Sequence, residues 1–364
     1  MSFKIVRGAL AMMSSLLATS SLFAGSAQES CCCVKPNGCQ GVTLCHTQPD
    51  MDWNRFHVDV GFILEQARVT GAAYAYTAPS LSDIPNTGVT IATPEFDTDF
   101  GVIAAIGYDF EHDHWYSNAT FKWLSTTGTN GVSSAFGTSV VPMGIWYQSL
   151  VGGSNLTAVS TANTNFEINY YDLVLEVGRG MYVTDCLVIN PHAALQFSFI
   201  YDNVTNTYGG GNLPAGNALI REQETDFWGV GPAFGLDTSW MFSEGWSMFL
   251  DTSAAILLSY STANDSLTNG STLSTSVTTG QIPTFAPTIR SLLGFSYERK
   301  IYCDQQMLRL RAGWDTTIFW NQFNHIDVVN GAGAGTQTGF DSYFLREGNT
   351  FGLTGLVLDL SWSF

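Results

Sequence analysis

The sequence predicts an all-β fold, a transmembrane antiparallel β-barrel of about ten strands, with twelve or more as the alternative count. Three observations predict it. In residues 356–364, Leu356, Leu358, Leu360, Trp362 and Phe364 fall on one face of an extended strand. Val357, Asp359, Ser361 and Ser363 fall on the other, because successive side chains in a strand point opposite ways. The same alternation recurs along the chain, with connections that are alternately short and long. The third observation is composition: 12% of the 364 residues are charged and 13% are aromatic. About 25% charged residues is usual for a soluble domain. After the N-terminus no run approaches the roughly 18 apolar residues of a membrane helix. A large secreted β-sandwich is the competing reading. The net charge of −17 argues against nucleic acid as a partner.

The N-terminus suggests an address. Lys4 and Arg7 precede an apolar run over 9–23, and Ala24, Gly25, Ser26 and Ala27 follow. That order is the pattern of a secretory signal peptide, here 1–27, with cleavage after Ala27 or Ala24. Residues 28–52 carry Gly, Pro, Asn and Cys without an apolar period and read as a periplasmic coil. The barrel is expected over 53–364, in the outer membrane of a Gram-negative bacterium, inserted by barrel-assembly machinery that reads the terminal strand.

The strands follow in order. The first, near 55–66, sets Phe56, Val58, Val60, Phe62 and Leu64 against His57, Asp59, Gly61 and Glu65. The second, about 96–110, sets Phe100, Val102, Ala104, Ile106 and Tyr108 against Asp97, Asp99, Gly101 and Asp109. After a turn at 111–114, the third sets Trp115, Ala119, Phe121 and Trp123 against Asn118, Thr120 and Lys122. Residues 126–165 read as a loop. The fourth strand opposes Tyr171, Leu173, Leu175 and Val177 to Asp172, Glu176 and Gly178. In the fifth, Leu187 to Tyr201 alternate with Asn190, His192, Gln196 and Asp202. Strands six to nine are anchored by Trp228 and Trp240, by Trp246 and Tyr260, by Ile289 and Phe295, and by Leu308 and Trp314. Loops are expected at about 203–223, 261–286 and 321–350. Pro232 falls inside strand six and predicts a bulge or kink. The loops at 67–97 and 126–165 offer a further hairpin at 74–77 and 145–151. Short turns between long loops match the periplasmic and external sides of outer-membrane barrels.

Seven cysteines are unevenly placed. Cys31, Cys32, Cys33, Cys39 and Cys45 crowd the N-terminal segment, while Cys186 and Cys303 fall in short connections. In an exported chain this reads as disulfide chemistry. Adjacent cysteines resist bridging to one another, and the number is odd. Some bonds are therefore expected between molecules, either self-association or links to other Cys-rich envelope proteins. A metal reading has only Cys45-His46 and the turn pair His112 and His114 behind it, and no metal or cofactor is expected.

Several stretches resemble one known family. They are Gly107-Tyr108 with His112-Asp113 and Trp115; residues 226–232 with Gly235-Leu236-Asp237 and Trp240; and residues 312–315 with Trp320-Asn321-Gln322. With the terminal aromatic they resemble the major outer membrane proteins of Legionella and of environmental chlamydiae, from about residue 55 to the end. The resemblance implies a porin and no catalytic residue. The Cys-rich segment resembles envelopes that depend on disulfide cross-links.

The expected lumen-facing acids are Asp59, Glu65, Asp97, Asp99, Asp109, Asp172, Glu176, Asp226, Asp251 and Asp359. The expected bases are Lys122, Arg290, Arg309 and Arg311. This excess predicts a weak cation preference in a passive pore. The opposing reading is that the charges pair and fill the interior. Eight-stranded barrels are filled, while open channels typically have 16 to 18 strands. A structural or adhesive surface protein is the alternative function. An enzyme is not expected, since there is no G-x-S-x-G. His325 with Asp327, and His57 with Asp59, are the acid–base pairs that could be named.

Overall fold

Alternating apolar and polar residues can bury every backbone polar group in lipid only if the sheet closes on itself. The computed structural model has that closure. It describes residues 55–78, 88–110, 114–134, 139–143, 158–184, 186–211, 213, 217–270, 273–301, 306–331 and 341–364. At 55, 273–275, 323–331 and 341–348 only the backbone is described.

Ten long strands make the ring: β1 (Arg55–Val69), β5 (Thr98–Asp109), β6 (Trp115–Ser133), β8 (Thr161–Arg179), β10 (Leu187–Gly209), β11 (Ala218–Ser243), β12 (Trp246–Asn269), β14 (Ile282–Ile301), β15 (Gln306–Gly331) and β16 (Asp341–Ser363). Each pairs antiparallel with the next, and β1 pairs with β16 over His57↔Ser363 to Val69↔Phe351, which closes the barrel. The terminal ladder is therefore the seam. The count of ten agrees with the sequence reading.

The outer face matches the alternation. Val60, Phe62, Ile106, Phe234, Ile256, Leu310, Leu358 and Leu360 are exposed on it. Two aromatic girdles bound this face, as expected at membrane interfaces. Where β1 begins and β16 ends, Phe56, Tyr108 and Phe110 meet Phe364 and Trp362, with ring centroids 4.7–6.4 Å apart. Trp246 stands 5.0 Å from Tyr297 on the same rim. On the far side Trp228 stacks on Tyr260 at 4.9 Å. Along β11, Trp228 and Trp240 are twelve residues apart (240 − 228). At about 3.3 Å per residue and a tilt of about 40° that is about 30 Å, near the thickness of the apolar band.

The strands run further outward than expected. β6 continues to Ser133, β8 begins at Thr161, β10 ends at Gly209, β11 begins at Ala218 and β12 ends at Asn269. Most of these extensions fall in stretches read as loops. Outside the lipid an outward side chain can be polar, so the apolar alternation fades while the ladder continues. At Pro232 the expected bulge is absent. The ladder to β12 lapses at Gly231 and Pro232 and resumes in the same register, from Val230↔Leu258 to Ala233↔Ala255. The missing N–H is accommodated by a local gap. The register shifts instead near the rim, between Met241 and Ser243, and on β15 between Phe319 and Phe323, where Asn321 has φ 58°.

Six short strands remain: β2 (Ala75–Ala78), β3 (Thr90–Ala92), β4 (Glu95–Phe96), β7 (Ser139–Pro142), β9 (Met181–Thr184) and β13 (Leu273–Thr278). β3, β2 and β7 form a separate three-stranded sheet. The expected strand at 74–77 is therefore real but adds nothing to the barrel. Residues 145–151 lie outside the described residues. Tyr74, Ala75, Ala92 and Val140 of this sheet pack with Ala162, Tyr208, Leu219 and Leu267, which point inward from β8, β10, β11 and β12. In the ring order β11 stands opposite β1. The chain leaving β1 therefore crosses the outer mouth to reach that wall.

Candidate functional site: the barrel lumen

The inward side chains form layers along the barrel axis. At the periplasmic rim, two adjoining cavities of about 220 and 140 Å³ share Asp59, Asn118, Glu176, Asp237 and Arg311 in their walls. Together they are bordered by Asp59, Asp109, Asp172, Glu176, Asp237, Asp251 and Asp359, against Arg290, Arg309 and Arg311. Asp59 Oδ1, Asn118 Oδ1, Asn190 Oδ1 and His192 Nδ1 are buried without hydrogen-bond partners among the described residues. Buried polar atoms are seldom left so, which marks this space as one for water or ions.

Within the cavity Arg311 holds two carboxylates. Its Nε donates to Asp359 at 3.0 and 3.1 Å, and Nη1 donates to Asp251 at 3.2 Å. Arg309 pairs with Glu298 at 2.7 Å. His57 Nδ1 lies 3.8 Å from Asp109, so its nearer acid is Asp109 and not Asp59.

The next layer outward is a buried ion network. Lys122 Nζ donates to Glu65 at 2.7 Å and to Asp315 at 3.0 Å. Arg290 Nε donates to both Asp315 oxygens at 3.2 and 3.1 Å. Asp172 accepts from Ser198 at 2.5 Å and Gln196 at 3.0 Å, and Thr288 donates to Gln196 at 3.2 Å. Here the reading that charges pair and fill the interior holds. Four strands, β1, β6, β14 and β15, are joined across the lumen by two basic and two acidic side chains.

Above the network the lumen turns apolar. Ile168, Ile200, Phe227, Leu257, Phe319 and Phe351 are fully buried, with Tyr170 beside them. Tyr170, Phe319 and Phe351 form a triangle with centroids 5.8–6.0 Å apart. Lys122 Nζ lies 5.8 Å from the Tyr170 ring and couples the two layers. Further out, a small cavity of about 30 Å³ is lined by Asp202, Asn206, Gln223 and Thr225. Then comes Arg221, which donates to Asp265 at 2.7 Å and to the Met143 carbonyl at 3.4 Å. The small sheet covers the mouth, held by the Tyr208 hydroxyl donating to the Tyr74 carbonyl at 2.8 Å.

Most expected lumen residues are where the alternation puts them, and two are not. Asp226 is exposed on the outer face. It shares the parity of Trp228 and lies beyond the outer girdle beside exposed Glu222 and Glu224, where water solvates it. Asp97 is also exposed. The ladder breaks there, and Phe96 turns inward instead, 5.4 Å from Phe166. Asp99, beside the same break, keeps its inward parity opposite Glu65 of β1. It accepts from Thr126 Oγ1 at 2.6 Å and from the Thr127 amide at 3.2 Å, filling in for ladder bonds. Sequence reasoning missed Asp315, Asp237, Glu298 and the Arg221–Asp265 pair. Asp315 has inward parity between Trp314 and Thr316, so that signal was present.

Cys186 is disulfide-bonded; Cys303 and the N-terminal cysteines lie outside the described residues. So does His112. His325 and Asp327, read as part of a loop at 321–350, fall instead on the outer extension of β15, where only the backbone is described. His114 packs on Tyr182 at 5.7 Å.

A closed even-stranded barrel with an apolar belt, two aromatic girdles and short turns at the end that carries both barrel termini is an outer-membrane protein. The sequence profile of the Legionella pneumophila major outer membrane protein precursor family matches residues 49–364. The chain belongs to that family. Comparison with curated protein sequences finds no match. Among solved structures, the outer membrane protease OmpT from Escherichia coli is similar at 10% identity and TM-score 0.42, over 87% of this chain and 97% of that one. The CymD monoaromatic hydrocarbon channel is similar at 12% identity and TM-score 0.34, over 85% and 87%. A Pseudomonas aeruginosa FadL homologue is similar at 8% identity and TM-score 0.26, over 86% and 90%. At these identities and scores none of them bears on what this chain does.

Proposed function

We propose that the protein is a narrow outer-membrane channel for small solutes, weakly cation-preferring, that rests closed. The observation that carries this reading is the periplasmic cavity. It is lined by seven acids and three arginines, with unsatisfied polar atoms around it. Such a wall raises local cation concentration. The channel conducts when the aromatic layer and the mouth sheet move apart. A second reading has its own observation: an inner layer as fully buried as Phe227, Phe319 and Phe351 suits a solid structural barrel of the envelope. In either case the chain is exported through its signal peptide, and its cysteines link it into the envelope by disulfides. Single-channel recording across a salt gradient tests the proposal. Rare or small openings with a cation-directed reversal potential support it. An anion-directed potential rejects the cation preference, and no openings under any voltage reject the channel in favour of the structural barrel.

A further inference from the structure

One part of the cavity wall carries chemistry that conduction does not require. Glu176, His192 and Asp237 stand on the adjacent strands β8, β10 and β11. The register sets Gly178 and Gly235 opposite His192 on its two sides. The imidazole lies over Gly235, where a Cβ would collide with its Nε2 and Cε1. Glu176 and Asp237 are then its diagonal neighbours, with Glu176 Oε1 at 3.8 Å and Asp237 Oδ2 at 3.5 Å from Nδ1. One donor atom from each of the three lies within 4.8 Å of the others.

Two further observations point to a ligand. The His192 side chain is only 5% exposed, yet Nδ1 has no hydrogen-bond partner among the described residues and faces the two carboxylates. Neither Glu176 nor Asp237 has an arginine or lysine within ion-pair distance among the described residues, whereas the neighbouring Asp251 and Asp359 share Arg311. The wall therefore concentrates negative charge around an unsatisfied nitrogen donor.

We propose that Glu176, His192 and Asp237 bind a divalent transition-metal ion at the periplasmic end of the lumen. One imidazole and two carboxylates suit zinc, manganese or iron(II) better than calcium or magnesium, which favour all-oxygen sites. Metal–ligand bonds of about 2.0–2.2 Å require the three side chains to draw together by small rotamer adjustments, and cavity water completes the coordination. The competing account is an imidazolium held between two carboxylates with no ion.

Cobalt(II) titration of the full chain, purified from outer membranes in detergent, separates the two. Nitrogen and oxygen ligands give only weak visible bands, while thiolate ligation adds a strong near-ultraviolet band, so binding at the cysteines is recognisable. The expected result is one ion per chain without the thiolate band, displaced by zinc and not by magnesium. Affinity should fall by about tenfold or more in Glu176→Gln, His192→Gln and Asp237→Asn, each checked for an intact β-sheet signal. A variant-independent measurement guards against misfolding. Wild-type protein with its free thiols alkylated should melt higher with zinc present. Unchanged cobalt affinity in folded variants, cobalt bound through thiolate alone, or no rise in melting temperature would each overturn the site.

Discussion

On β8 the inward residues Asp172, Val174 and Glu176 border a polar cavity, while Phe166, Ile168 and Tyr170, further along the same face, are sealed from solvent. The same change occurs on β15, from Arg309 and Arg311 through Asp315 to Phe319. The two halves of the lumen share one alternation and one barrel, yet one half stays polar and the other packs like a protein core. The difference teaches that strand parity decides which way a side chain points. Depth along the axis decides whether it meets water, an opposite charge or another ring.

The largest effect is expected where the halves meet. Lys122→Met leaves Glu65 without its buried cation and Asp315 with Arg290 alone, which should cost about 3–5 kcal/mol. Arg309→Met, whose ion pair is at the partly exposed rim, should cost less than about 1 kcal/mol. Denaturant unfolding of refolded protein in detergent compares them. Equal costs would mean that the central network is no drier than the rim. Next comes Ile200→Ala in the sealed layer, expected to cost about 2–5 kcal/mol through the cavity it leaves. Ile106→Ala on the lipid face, where detergent fills the space, should cost clearly less by the same assay.

These contrasts also show what was legible in the sequence. The lipid face could be read because lipid accepts only apolar side chains, so the ladder over 356–364 announced itself. The outer extensions of β6, β8, β10, β11 and β12 could not, because a strand that is polar on its outward face beyond the membrane looks like a loop. Asp226 was misassigned by expecting charge to mean lumen, although its parity with Trp228 said outward. Of the candidate metal site, Glu176 and His192 were placed inward, but the pairing with Asp237 depends on register across three strands and on two glycines. No single-chain period reports that.

Smaller effects probe the ends of the lumen. Tyr208→Phe removes the hydroxyl that holds the mouth sheet and should cost about 1 kcal/mol, with faster proteolysis within 70–78 as the readout. Cleavage unchanged from wild type would show that the apolar contacts alone hold that sheet. Asp59→Asn with Asp109→Asn should shift the reversal potential slightly toward anions while leaving stability nearly unchanged. No shift would take these two acids out of the permeation path.

The proposed channel is shut by the aromatic layer, which lies between the mouth sheet and the buried ion network above the polar periplasmic cavity. Single-channel conductance of wild type beside Phe319→Ala with Phe351→Ala, in the same bilayer and salt, tests it most directly. The account predicts rare, small openings in the wild type and a large gain in open time or conductance in the double variant. A large, steady wild-type conductance that the double variant leaves unchanged would contradict it.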